Sequence, residues 1–158
     1  RVEPVPTDGD YSIFIDYAVT PDAIENVLTT LRGIAPKRLV MLFGAGGDRD
    51  RKKRPIMGKL SADIADFVIV TSDNPRTEDP MSIIEEILPG VRAGKAPYKV
   101  ICDRPEAIRW AIDHHEPGDV ILLCGKGHED YQIIGHEKIH MDEREIVADY
   151  LAERAKRT

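Results

Sequence analysis

The sequence predicts a doubly wound α/β fold, with a mostly parallel sheet of about six strands and helices on both faces. Two observations carry this expectation. Short, continuous apolar runs (12–15, 39–43, 67–70, 98–102 and 120–124) alternate with stretches whose apolar residues recur at helical spacing. Strands buried on both faces read this way, and helices must then cover the sheet. The segments that follow the runs are glycine-rich or polar, as expected at the carboxyl edge of such a sheet, where ligands bind.

Taken in order, residues 1–10 are charged and proline-rich and read as a linker, with one domain over 11–158. The run 12–15 is the first strand. Thr20 then caps a helix with Pro21 at its first position, where a missing N–H is harmless. Ile24, Val27, Leu28 and Leu31 form its inner face, and Gly33 and Pro36 end it. After the run 39–43 a helix extends from about Arg51 or Pro55 to Ile64, with Met57, Leu60 and Ile64 inward. The run 67–70 leads into Thr71-Ser72-Asp73-Asn74-Pro75-Arg76, where Pro75 stiffens the turn and biases Asn74 toward extended backbone. Asp79 caps the next helix, with Pro80 first, Ile83, Ile84, Ile87 and Leu88 inward and Glu85 and Glu86 toward water. A helix marked by Ala107, Ile108, Ala111 and Ile112 follows the fourth strand. Beyond the fifth, residues 131–134 and 138–140 flank Gly135-His136-Glu137, which predicts a short hairpin at a sheet edge. Asp142 and Glu145 stand in capping-box spacing before a last helix that buries Val147, Tyr150 and Leu151.

The chain has 158 residues, 42% hydrophobic and 32% charged, the balance of one globular domain able to bury a core without metal or disulfide staples. No apolar run approaches the length of a membrane span. A net charge of -6 argues against a general nucleic-acid binder, which needs a positive surface. Cys102 and Cys124 end separate apolar runs and read as buried thiols, so a reducing, cytoplasmic setting is expected. No histidine or cysteine pair has metal-ligand spacing.

Three loops on the predicted sheet edge carry chemistry. Gly44-Ala45-Gly46-Gly47 is either a cradle of backbone amides for an anion or a plain tight turn, and Arg49, Arg51, Lys52, Lys53 and Arg54 follow it. It is not a Walker A loop, because no Gly-Lys-Ser/Thr follows. Gly125-Lys126-Gly127-His128-Glu129 is likewise either a second anion-facing turn or turn chemistry alone, with His128 the most suspect of the five histidines and the rest read as surface residues. Asp73, Asn74 and Arg76 alone make an Asx-turn with an exposed arginine. Together, Arg49 and Arg76 can take carboxylates while Asp73 and Glu129 take an ammonium, a set that suits a zwitterionic amino acid.

The stretches Asp16-Tyr17-Ala18-Val19-Thr20-Pro21-Asp22, Phe43-Gly44-Ala45-Gly46-Gly47-Asp48-Arg49-Asp50, Asp73-Asn74-Pro75-Arg76 and Gly125-Lys126-Gly127-His128-Glu129-Asp130-Tyr131-Gln132 resemble, as a set and in order, the C-terminal domain of the Mur ligases. Within that family they look like the branch that adds meso-diaminopimelate to UDP-MurNAc-L-Ala-D-Glu in peptidoglycan synthesis. The resemblance implies a Rossmann-like sheet and places the amino acid on Arg49, Asp73, Asn74, Pro75, Arg76, Gly125 and Glu129. A nucleotide would face Asp16, Tyr17, Pro21 and Asp48. No catalytic residue and no metal ligand falls in this domain. ATP, Mg²⁺ and the nucleotide-linked dipeptide would be held mainly by an N-terminal and a central domain, so the chain alone is expected to be inactive. The reaction implied is phosphorylation of the glutamate carboxylate, followed by attack of a neutral amine. Val19 departs from the pattern, where the family usually has a nucleotide-contacting histidine. The alternative is a stand-alone module that binds a nucleotide or amino acid without catalysis.

Overall fold

A computed structural model of the chain describes residues 2–34 and 36–157; Arg1, the first residue of the expected linker, lies outside them. The central sheet has six strands: β1 (Glu3–Val5), β2 (Tyr11–Asp16), β3 (Arg38–Phe43), β4 (Phe67–Val70), β5 (Tyr98–Val100) and β6 (Asp119–Cys124), in the order β1-β2-β6-β3-β4-β5. All neighbours are parallel except β1, which runs antiparallel to β2. The helices are α1 (Pro21–Arg32), α2 (Lys53–Ile64), α3 (Pro80–Ala93), α4 (Arg104–Asp113) and α5 (Glu143–Ala155), and a separate two-stranded sheet is made by β7 (Tyr131–Ile134) and β8 (Glu137–His140). No described helix is long and apolar enough to cross a membrane.

The period-two alternation of the strands sorts their side chains into two cores. Leu39, Met41, Phe43, Val68, Val70, Val120 and Leu122 pack with α1, α2 and α3 on one face. Ile13, Ile15, Val40, Leu42, Ile69, Ile121 and Leu123 pack with α4 and α5 on the other. Each fully buried Val, Leu or Ile contributes about 1.5–3 kcal/mol relative to exposure, so both layers are firmly held. The helix starts follow the capping chemistry read from the sequence. Thr20 accepts from the Ala23 N–H, Asp79 from Ser82, and Asp142 from Arg144 and Glu145. Asp103 caps α4 in the same way, accepting from the Glu106 N–H.

Four details differ from expectation. Glu3–Val5, inside the supposed linker, forms a strand because Val5 is buried against the sheet, and Pro4 is tolerated at an edge where its missing donor breaks little. The inner face of α2 is Arg54, Met57, Gly58, Ser61 and Ala62, with Leu60 and Ile64 only half-buried. Its small residues let the α3 backbone approach, and a β-carbon on Gly58 would stand 2.5 Å from the Ile87 carbonyl oxygen. Glu86 is drawn from water into ion pairs with Arg51 and Arg54. The hairpin is not a sheet-edge extension. It folds over the carboxyl end of the main sheet, where the Arg76 N–H donates to the Ile133 carbonyl at 3.0 Å and the Gly135 N–H to the Arg76 carbonyl at 2.7 Å.

Candidate functional site

The loops after β2, β3, β4 and β6 enclose a cavity of about 480 Å³ at the carboxyl edge of the sheet. Arg49, Asp73, Asn74, Arg76, Gly125, Glu129 and Tyr17 line it, so four loops read as separate stretches of sequence meet in one place. Pro75, Asp16, Pro21 and Asp48 lie outside the lining. Asp16 turns its carboxylate to the Ala18 N–H of its own loop at 2.9 Å, and Pro21 is the first residue of α1. Asp48 accepts the Thr77 hydroxyl at 2.7 Å, and Pro75 is packed behind Gly47.

The glycines of the β3–α2 loop serve backbone packing more than anion binding. A β-carbon on Gly44 would stand 2.4 Å from the Thr71 carbonyl oxygen, and one on Gly47 would stand 1.8 Å from that of Pro75. The Gly47 N–H is already donated to the Asn74 carbonyl at 2.8 Å. Only small residues permit this seam between the β3–α2 and β4–α3 loops, and the seam fixes Arg76 against the cavity, its Nη1 donating to the Gly47 carbonyl at 2.9 Å. The basic run divides by partner. Arg54 is buried, with its guanidinium on Glu78, Glu86 and the Gly46 carbonyl, and Arg51 is paired with Glu86. Glu78 is pulled down to about 2, chiefly by its hydrogen bonds from Arg54. Among the described residues Arg49 and Arg76 have no carboxylate partner, which leaves both guanidiniums available to an anionic ligand.

Another part of the lining is acidic. Tyr17 donates its hydroxyl to Glu129 Oε2 at 3.2 Å, and the Glu129 charge in turn raises the tyrosine above its ordinary value. Burial works to raise Glu129, but the hydrogen bond and charge of Lys126, with hydrogen bonds from Tyr17 and Asn74, outweigh it and hold the carboxyl below its usual range. Asp73 is buried; a β-carbon on Gly125 would lie 3.4 Å from its Oδ2, so the glycine keeps that carboxylate uncovered. Gly125 has φ +116, a backbone that favours glycine. Val19, Ala45 and Met57 add apolar surface to the lining.

Three cationic residues whose structural role the sequence did not reveal hold this site together. Lys126, read as the tail of an anion loop, is fully buried and faces carboxylates. Arg104 is also fully buried; it pairs with Glu143 and donates to the carbonyls of Ser72 at 3.0 Å and Cys124 at 2.9 Å, joining the ends of β4 and β6 to α5. Arg54 was visible only as one of five basic residues. Gln132 adds a polar tie, donating to the Asp73 carbonyl at 2.6 Å. His128 points away from the cavity, toward Glu3 and Arg144. His115, expected at the surface, stacks on Tyr11 with ring centroids 3.8 Å apart.

The family described as Mur ligase, glutamate ligase domain, matches residues 1–127. A UDP-N-acetylmuramoyl-L-alanyl-D-glutamate–2,6-diaminopimelate ligase of Caldanaerobacter subterraneus is 53% identical over 156 residues, covering 99% of this chain and 32% of its own length. One of Trichormus variabilis is 56% identical over 149 residues, 94% of this chain and 30% of its own. A solved structure of a ligase of the same description superposes with a TM-score of 0.90 at 39% identity, covering 98% of this chain and 32% of that one. This chain therefore spans about a third of the length of the relatives it matches. With the family's sequence pattern over most of its length and the fold of a solved relative over nearly all of it, the chain belongs to the Mur ligase family, through its glutamate ligase domain.

Proposed function

We propose that the chain is the amino-acid-binding domain of an ATP-dependent amide ligase that adds meso-diaminopimelate to UDP-MurNAc-L-Ala-D-Glu in the cytoplasm. The observation that carries this reading is that one cavity lining brings together Arg49 and Arg76, which have no carboxylate partner among the described residues, and the carboxylates of Asp73 and Glu129, with Asp50, Lys53 and Arg54 beside them. Diaminopimelate carries an ammonium and a carboxylate at each end, and lysine lacks the second carboxylate. A guanidinium fork rewards that extra carboxylate with a charge-assisted pair.

In this reading Arg76 and Arg49 hold carboxylates, and Asp73 and Glu129 orient the distal ammonium. The other amine is then left pointing toward the acceptor, a gain from orientation and not from chemistry supplied here. Asn74, Pro75 and Gly125 shape the wall: Asn74 Oδ1 already accepts from Lys126 and from the Ile133 N–H, and Pro75 braces the turn. Among the described residues no three His, Cys, Asp or Glu side chains are grouped to hold a metal. In this reading Mg²⁺, the ATP phosphates and the nucleotide-linked dipeptide are held mainly by the ligase's other domains. Tyr17, exposed at the cavity rim, is the best placed of the nucleotide-facing candidates; Asp16, Pro21 and Asp48 are engaged in shaping their own loops. The negative net charge and the acidic wall fit a small zwitterion better than nucleic acid.

Steady-state kinetics of Arg76→Ala in the full ligase test the assignment. The KM for diaminopimelate should rise by about tenfold or more, as expected for loss of a hydrogen bond to a charged group, while the KM for ATP stays within about twofold. An equal loss for ATP would assign this loop to another ligand.

A further inference from the structure

Lys126 is 0% exposed, does not line the cavity, and has its Nζ 2.6 Å from Asn74 Oδ1, 2.9 Å from Glu129 Oε1 and 3.5 Å from Asp73 Oδ1. The Asp73 oxygen is buried and makes no hydrogen bond, the 3.5 Å approach being an ion pair only. The ammonium also lies 5.1 Å from the centroid of the Tyr131 ring. A buried lysine is stable only when paired, and two carboxylates crowded into one site disfavour each other's ionisation. One cation set behind two anions removes that conflict and leaves a single net negative charge on the cavity side.

We propose that Lys126 is the positioning residue of the amine end of this site: it holds Asp73 and Glu129 side by side, so that together they receive one ligand ammonium. Lys126 acts from behind the wall, through the two carboxylates. The inference rests on the amino-acid reading of the cavity. It explains why the lysine is flanked by glycines. Gly125 at φ +116 and Gly127 at φ +54 turn the backbone so that the side chain passes inward, and Gly127 leaves room for Tyr17, whose Cβ would lie 2.9 Å from an added β-carbon. Arginine is not an equivalent replacement, because its planar fork is larger than the space around one fully enclosed ammonium.

The other charged and titratable groups around the pair are Tyr17, Tyr131, Asp130, Arg76 and the buried Arg104, which feels the Asp73 charge and is itself paired with Glu143. The Glu129 charge raises both tyrosines, so neither ionises near neutrality. His128 of the same loop faces Glu3 and Arg144 instead. All of these groups are shared by the native protein and the variant, so their contributions cancel in the comparison.

The test has two arms. In the first, NMR titration of the Glu129 side-chain carboxyl is compared in the native chain and in Lys126→Met. The native group should titrate below the ordinary carboxylate range and the variant's above its native position. In the second, calorimetry measures meso-diaminopimelate binding to the full ligase at pH 8 and pH 6. Native affinity should be nearly equal at the two values. Lys126→Met should match it at pH 8 and fall by about tenfold at pH 6, which requires the variant's carboxyl pair to take up a proton at about pH 7. A variant with the native titration and the native pH profile would overturn the proposal. So would a native Glu129 that titrates in the ordinary range, a measurement that needs no variant and decides the matter if Lys126→Met does not fold. If the native ligase binds no diaminopimelate while removal of Lys126 still shifts Glu129, the amino-acid reading fails and the hold of Lys126 on the carboxylates stands.

Discussion

Arg76 adopts φ +54, a left-handed backbone that costs a non-glycine residue roughly 1–2 kcal/mol. Its N–H and carbonyl are both engaged by the β7–β8 hairpin, and its guanidinium rests on the Gly47 carbonyl, so the strained residue is held from three sides and aimed at the cavity. Gly47 is the fulcrum of that arrangement. In Gly47→Ala the β-carbon would meet the Pro75 carbonyl oxygen at 1.8 Å, and because both partners are backbone, relief requires the two loops to part. Chemical denaturation should show a loss of about 2–3 kcal/mol, the upper range for overpacking; a loss below about 0.5 kcal/mol would mean that the seam is loose. Residues such as Arg76 and Glu129 were legible from the sequence because charged side chains after apolar strands have few structural reasons to be there. Arg104 and Lys126 were not. Their burial depends on Glu143, 39 residues from Arg104, and on Asn74, 52 residues from Lys126, and a local pattern cannot report such partners.

At the scale of elements, α2 and α3 are the pair that steadies the basic side of the site, since Arg54 on α2 reaches Glu78 and Glu86 around the start of α3. Their approach depends on glycine at two crossings. A β-carbon on Gly90 would stand 1.8 Å from the Pro55 carbonyl oxygen, while the neighbouring Pro89 faces solvent, where its missing N–H is tolerated. Gly90→Ala should therefore destabilise the chain by about 1–3 kcal/mol, read as a lowered denaturation midpoint, whereas Pro89→Ala should leave stability equal or higher. A neutral Gly90→Ala would refute the close crossing. The helices and the parallel strands announced themselves through periodicity and, at α1, α3 and α5, through caps, whereas α2 starts with no side-chain cap. The β1 strand did not, because three residues with a proline carry too little pattern and only pairing with β2 defines them. The hairpin was legible as a hairpin, but its position was not, since its attachment runs through a distant loop, by way of Ser72, Asp73, Asn74 and Arg76.

For the whole molecule, acid stability should be governed in part by the Arg54–Glu78 pair. Glu78 is depressed from 4.5 to about 2, so its contribution is fully present above pH 4.5 and is lost as pH falls through about 2. Glu78→Gln should be less stable than the native chain at pH 7, by up to about 3 kcal/mol, because it leaves a buried guanidinium short of one partner. The difference should shrink between pH 4.5 and 2; a constant gap would show that the ion pair is not its source. The same pair closes the basic side of the cavity, so fold stability and site geometry are linked through Arg54. The central claim, a cavity built for an amino acid charged at both ends, is tested most directly by calorimetric titration of the full ligase with meso-diaminopimelate and with L-lysine. Nucleotide dipeptide and a non-hydrolysable ATP analogue should be present. Two guanidiniums without a carboxylate partner among the described residues, lining one cavity with two carboxylates, predict that diaminopimelate binds more tightly by about tenfold or more, the worth of one charge-assisted pair. Equal affinities would contradict the claim.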